Sequence, residues 1–209
     1  VASEETIENI CLAFAAVIDS KSPFTYRHSN GVANAAVAIG RQLAMSPAEI
    51  TFLRRAALLH DIGKLSVPNS ILEKPGKLDE REWAVVKKHP YYTLEILRRI
   101  PGLETMSEVA AAHHEKLDGS GYFRGWTAQQ LSTPARILAV ADIYDALAAK
   151  RPYRDAMPLD QVFSILRQDA PRALDAECLE ALISAQNQPV AATPGLVPLS
   201  DAISDSELI

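Results

Sequence analysis

The chain has 209 residues, 48% of them hydrophobic, and a net charge of -5, which allows one well-buried core and excludes two full domains. The excess acidity lies in residues 170–209, where Arg172 stands against Asp175, Glu177, Glu180, Asp201, Asp205 and Glu207; the rest is balanced at 20 basic and 20 acidic residues. A neutral body excludes the basic stripe of a duplex nucleic-acid binder, yet permits a small anion held by local Arg and Lys.

Helical periodicity runs through the chain and no alternating stretch of useful length interrupts it, so the expected class is all-α. Ile7, Ile10, Cys11, Phe14, Val17 and Ile18 predict one apolar face of a first helix, and Val32, Ala35, Ala36, Ile39 and Leu43 predict that of a second, starting near His28. Ser46-Pro47-Ala48-Glu49 reads as a capping box with proline in the first turn, opening a helix that runs into His60-Asp61 and stops at Gly63. Asp79-Glu80-Arg81-Glu82 is a second capping box, for a helix carrying Trp83 and Val86 to His89. Pro90 then begins a helix over 91–100, broken by Pro101-Gly102. Further helices are expected over 105–116, 134–150, 158–169 and 175–186, with a Gly-rich loop over 118–133. From Gln188 the Pro, Ala and Ser content predicts a loosely held tail, so the domain is read as 1–187 and the tail as 188–209.

No apolar run approaches the ~18 residues of a membrane span and no secretory signal opens the chain, so the expected location is the cytoplasm. Cys11 and Cys178 sit in apolar helical patterns far apart, which predicts buried free thiols.

The chain holds five histidines: His28, His60 joined to Asp61, His89, and the doublet His113-His114 before Glu115. Neutral imidazole with carboxylate is a donor set suited to first-row metals, and a shared carboxylate lets it hold two ions. Bundle cores build such sites from facing helices, which makes a helical bundle with a metal site in its core the economical architecture. Asp142 and Asp145 stand three apart in an apolar helical run, on one face. A buried carboxylate there needs a cationic partner.

His60-Asp61-Ile62-Gly63-Lys64, His89-Pro90, His113-His114-Glu115, Asp118-Gly119-Ser120-Gly121-Tyr122, Asp142-Ile143-Tyr144-Asp145-Ala146-Leu147 and Arg151-Pro152-Tyr153-Arg154, in this order, resemble the HD-GYP group of HD-superfamily phosphohydrolases. The resemblance covers about residues 5–170. It implies hydrolysis of cyclic di-GMP, by a metal-bound hydroxide, to pGpG and in some members on to GMP. It implies two divalent ions, iron or manganese ahead of zinc or nickel. One is expected on His28, His60, Asp61 and Asp142, the other on Asp61, His89, His113 and His114, with Asp61 bridging. Where some members place a Glu that holds a third ion, this chain has Phe24, so two ions are expected.

Lys64 is expected on the non-bridging oxygens of the scissile phosphate, and Arg151 and Arg154 on the second phosphate, which guanidinium grips in bidentate fashion. Tyr122 is expected to stack on or hydrogen-bond to the nucleotide, and Asp145 to accept from a guanine edge or a metal-bound water. The family's Gly-Tyr-Pro is Gly121-Tyr122-Phe123 here; the change restores a backbone donor and bears on loop geometry, substrate preference and docking of a GGDEF-domain partner through residues 118–126. The domain is expected to be excised from a longer signalling protein, since the sequence begins at Val1. Two other readings stand beside hydrolysis of cyclic di-GMP: a metal-retaining sensor that binds a cyclic dinucleotide but turns it over weakly, and a di-iron HD-type oxygenase. A third keeps the hydrolysis and changes the cyclic dinucleotide.

Overall fold

A computed structural model describes residues 3–21, 27–150 and 155–187. Phe24, Arg151, Arg154 and the tail from Gln188 lie outside the described residues. Within them the expected all-α bundle is observed, as α1 (Glu4–Ser20), α2 (His28–Gln42), α3 (Pro47–Leu59), α4 (Asn69–Leu72), α5 (Glu80–Val86), α6 (His89–Leu97), α7 (Glu104–Ala111), α8 (Thr133–Ala148), α9 (Leu159–Asp169) and α10 (Ala176–Asn187). A 3-10 turn, Ile62–Ser66, joins α3 to α4, and no strand is present among the described residues beyond one isolated bridge between Asp118 and Thr127.

The two capping boxes form as read. The Ser46 side chain accepts from Glu49 N while Glu49 accepts from Ser46 N at 2.8 Å, and Asp79 and Glu82 exchange the equivalent pair at 2.8 Å each. Helix ends are less legible. The helix expected over 105–116 stops at Ala111, and the one expected to Ile100 stops at Leu97. The early stop of α7 releases His113 and His114 from the helix, so the two adjacent rings can point into one site.

α2, α3 and α8 pack together at the centre, with α10 laid over α2 and α8, α1 over α2 and α3, and α6 against both α7 and the 3-10 turn. The core is mostly small and aliphatic, with Val32, Ala36, Ile39, Leu53, Leu58, Ile137, Leu138 and Leu182 fully buried. Cys11 and Cys178 are both buried and unpaired, and burial pushes each thiol up. α1 departs from its expected face. It buries Cys11, Ala15 and Ile18, leaving Ile10, Phe14 and Val17 between 40 and 53% exposed. The predicted stripe is wider than one packed face, and α1 is turned so that its Ala15 side lies against the bundle. No helix among the described residues is long and apolar enough to cross a membrane.

Candidate metal centre

Three helix ends build the site. His60 follows the last residue of α3, His89 lies three residues past the end of α5, and His113 lies two past the end of α7. Each ring donates through Nδ1 to the carbonyl three residues earlier: His60 to Ala57 O at 2.7 Å, His89 to Val86 O at 2.8 Å and His113 to Ala110 O at 2.6 Å. These carbonyls are among the last four of their helices, which have no partner within the helix. A carbonyl only accepts, so every one of the three Nδ1 atoms carries the proton, and the bare Nε2 lone pairs are turned inward. The carboxyl ends of α3, α5 and α7 add partial negative charge to the same volume.

Asp61, buried between these rings, divides its two oxygens. Oδ2 lies 3.3 Å from His60 Nε2 and 3.9 Å from His28 Nε2, whereas Oδ1 lies 3.2 Å from His89 Nε2 and 3.6 Å from His113 Nε2. Asp142, reaching in from α8, lies 3.1 Å from His28 Nε2 and 3.8 Å from His60 Nε2 through Oδ1, and 3.6 Å from His114 Nδ1 through Oδ2. Two groups of converging ligand atoms result, His28–His60–Asp142 and His89–His113–His114, with a third, His60–Asp61–His113, between them.

These residues fit a divalent metal better than they fit one another. His60 Nε2 and Asp61 Oδ1 are buried with no hydrogen-bond partner, a cost that a cation removes. His89 Nε2 and His113 Nε2 face each other at 3.0 Å with both protons already committed on the far side, an arrangement of two lone pairs that calls for a positive ion. Burial, the largest influence, holds His113 well below the usual imidazole range and His114 down at about 3, so both rings are neutral ligands at neutral pH. Asp61 and Asp142 stay ionised despite burial, which alone would raise them. The Lys64 ammonium outweighs it at Asp61, and the hydrogen bond from His28 at Asp142.

His28 opens α2 and is held from both sides. Its Nδ1 donates to Asp145 Oδ2 at 2.6 Å, and its neighbour Ser29 bonds the buried Asp19 of α1 through Oγ at 2.6 Å. Asp145, expected at a guanine edge or a metal-bound water, therefore bonds the outer nitrogen of His28. A carboxylate on the outer nitrogen of a ligating histidine fixes its tautomer and raises its basicity. Asp145→Asn is expected to weaken metal affinity about 10- to 100-fold, read by competition against a chelator of known strength.

Lys64 Nζ is partly exposed and lies 2.5 Å from Asp61 Oδ2. Thr93 is a residue the sequence reading missed. Its Oγ1 accepts from Gly63 N at 3.0 Å and donates to His60 O at 2.8 Å, so it ties α6 to the His60-Asp61 corner. Thr93→Val keeps the shape and strands both backbone groups; a loss of about 1–3 kcal/mol is expected in denaturant unfolding.

The 118–126 loop is anchored to the site's own backbone. Tyr122 N donates to His114 O at 3.1 Å, and the Glu115 carboxylate accepts from Arg124 N at 2.7 Å and Trp126 N at 3.0 Å. Gly121 lies so close that a Cβ on it would sit 2.5 Å from His114 O. The Tyr122 ring is thereby held 4.7 Å from the His114 ring, and burial pushes its hydroxyl up, keeping it a donor. Phe123 lies 6.0 Å from Tyr91 and beneath the Arg124 guanidinium, 5.1 Å away.

A family model described as the HD domain matches residues 13–178, most of the described chain. The chain belongs to the HD-domain family. The protein is 51% identical over 181 residues to the 3'3'-cGAMP-specific phosphodiesterase 3 of Vibrio cholerae, covering 87% of this chain and 39% of that protein. It is 39% identical over 152 residues to the cyclic di-GMP phosphodiesterase response regulator RpfG of Xanthomonas campestris, covering 72% of this chain and 40% of that one. A crystal structure of a cyclic GMP-AMP specific phosphodiesterase of V. cholerae superposes with a TM-score of 0.59 at 44% identity, over 90% of this chain and 42% of its own. The HD domain thus spans about two fifths of the length of these relatives.

Proposed function

We propose that this HD domain is a metal-dependent phosphodiesterase that opens 3',3'-cyclic dinucleotides. The observation that carries the reading is the division of Asp61 between two histidine clusters, each able to hold one ion. His28, His60 and Asp142 would hold the first and His89, His113 and His114 the second, with Asp61 shared. Two such ions, when bound, lower the pKa of a water between them and neutralise phosphoryl oxygens as charge builds. The family resemblance favours iron or manganese, and the His and Asp donors accept zinc and nickel as well.

Hydrolysis adds water across one P–O3' bond, leaving a linear dinucleotide with a 5'-phosphate and a 3'-hydroxyl. Lys64 neutralises a non-bridging oxygen of the scissile phosphate, and Asp61 holds that ammonium in place. Tyr122 packs against or donates to the nucleotide, and the burial of the surrounding groups keeps bulk water away. Arg151 and Arg154 serve the second phosphate.

Both relatives are named for cyclic dinucleotides, and the higher identity belongs to the one named for 3'3'-cGAMP. We therefore place 3'3'-cGAMP ahead of cyclic di-GMP, which the motifs alone favoured. Incubation of iron- or manganese-loaded protein with each dinucleotide, followed by chromatography, is expected to yield linear product from both, faster from 3'3'-cGAMP. Absence of product from either would refute the reading, and tight binding without turnover would make the domain a sensor.

Metal uptake should depend on pH through His28. Burial, its largest influence, lowers the pKa, but Asp142, Asp145 and Asp61 together raise it to about 9 in the metal-free protein. A metal must displace that proton, so affinity should rise roughly tenfold per pH unit below about 9 and level off above it. Metal titrations between pH 6.5 and 9.5 check the slope, and a flat profile would exclude His28 as a ligand.

A further inference from the structure

A cleft of about 260 Å³ opens beside the metal centre, walled by His114, Lys116, Tyr122 and Ile143 on one side and by Trp83 and Lys87 of the α5 segment on the other. Its volume falls below the ~300 Å³ at which pockets begin to enclose a whole small ligand. A cyclic dinucleotide would have to lie partly outside it.

The far wall is not explained by folding. Val86 is the buried residue of α5, while Trp83 is 43% exposed and lies at the cleft. Lys87 Nζ stands 5.7 Å from the Trp83 ring centre and 5.5 Å from that of Tyr122, so a cation bridges the two aromatic walls. Lys116 adds a second positive charge. Glu115, the one acid among the described lining residues, is spent on the amides of Arg124 and Trp126. Aromatic faces beside ammonium groups recognise a flat base joined to a phosphate. The wall is held at a fixed height, because the capping box and the Lys74–Glu82 pair at 2.6 Å pin the start of α5.

We infer that Trp83 and Lys87 form a nucleotide subsite that sets substrate selectivity, the indole stacking on the base of the nucleotide not under attack and the ammonium pairing with its phosphate. The inference rests on the proposed phosphodiesterase reading. It gives the α5 segment a share in recognising the second half of the substrate, beside the Tyr122 loop.

The test compares hydrolysis of 3'3'-cGAMP with that of bis(p-nitrophenyl) phosphate, a diester without a base, by metal-loaded wild-type, Trp83→Ala, Trp83→Phe and Lys87→Gln proteins of measured metal content. The kcat/KM ratio of dinucleotide to small diester should fall at least about tenfold in Trp83→Ala, mainly through KM, and be largely restored in Trp83→Phe. Lys87→Gln should lower it by a similar factor. An unchanged ratio, whether both activities stay or both fall together, overturns the subsite. If wild-type protein cleaves the small diester but no cyclic dinucleotide, the functional reading fails; the subsite is then decided by equilibrium dialysis of 3'3'-cGAMP. Weaker binding by Trp83→Ala upholds it, and equal binding overturns it.

Discussion

Replacing Asp61 with alanine is expected to leave less than one metal ion per chain and to lower hydrolysis at least about 10³-fold, because several kcal/mol of phosphoryl charge stabilisation go with the ions. The size of the effect follows from the position of the carboxylate. Its Oδ2 faces the His28 and His60 side and its Oδ1 the His89 and His113 side, so one substitution removes an oxygen donor from each ion and the negative charge between them. The remaining imidazoles and Asp142 would face two cations with a single carboxylate. Elemental analysis alongside turnover separates the possibilities, and a variant that retains two ions and its activity would contradict the assignment.

Gly63→Ala is expected to cost about 3 kcal/mol, near the upper end for overpacking, since the added methyl meets backbone that has no rotamer to change. A Cβ at Gly63 would sit 1.9 Å from His89 O and 2.6 Å from Thr93 N. The 3-10 turn must therefore part from the first turn of α6, breaking the Gly63–Thr93 hydrogen bond and carrying His89 away from Asp61. At about 2–4 °C per kcal/mol for a domain of this size, the midpoint of thermal unfolding should fall by about 6–12 °C. Calorimetry of the metal-free protein isolates this packing effect from lost metal binding. A fall under about 2 °C would mean that α6 does not approach the turn as closely as described.

The sequence made the capped helix starts legible, and the physical reason is that they are local. Ser46 with Glu49 and Asp79 with Glu82 satisfy backbone donors three residues away, so the pattern is the mechanism. The division of the histidines into two groups came from the family resemblance, and the geometry brings His28 and His60 together with Asp142, and His89 together with His113 and His114. Which nitrogen faces inward was not read, although the carbonyl three residues before His60, His89 and His113 offers that signal wherever a helix ends.

What remained hidden depends on the approach of distant elements. Asp145 shares a helix face with Asp142, but only the packing of α8 against α2 brings it onto His28. Thr93 and Asp19 carry no motif, and their bonds join residues 33 and 10 positions apart. Gly63 was read as a helix stop, whereas its lack of a side chain is what lets α6 close on the His60-Asp61 corner. The rotation of α1 within a broad apolar stripe is likewise decided by its neighbours.

The most direct test of the central claim is a crystal structure of the metal-loaded HD domain with anomalous diffraction recorded at the metal absorption edge. Two anomalous peaks are predicted, one on each side of the Asp61 carboxylate, the first among His28, His60 and Asp142 and the second among His89, His113 and His114. A single peak, or two peaks with Asp61 bound to only one of them, would contradict the account.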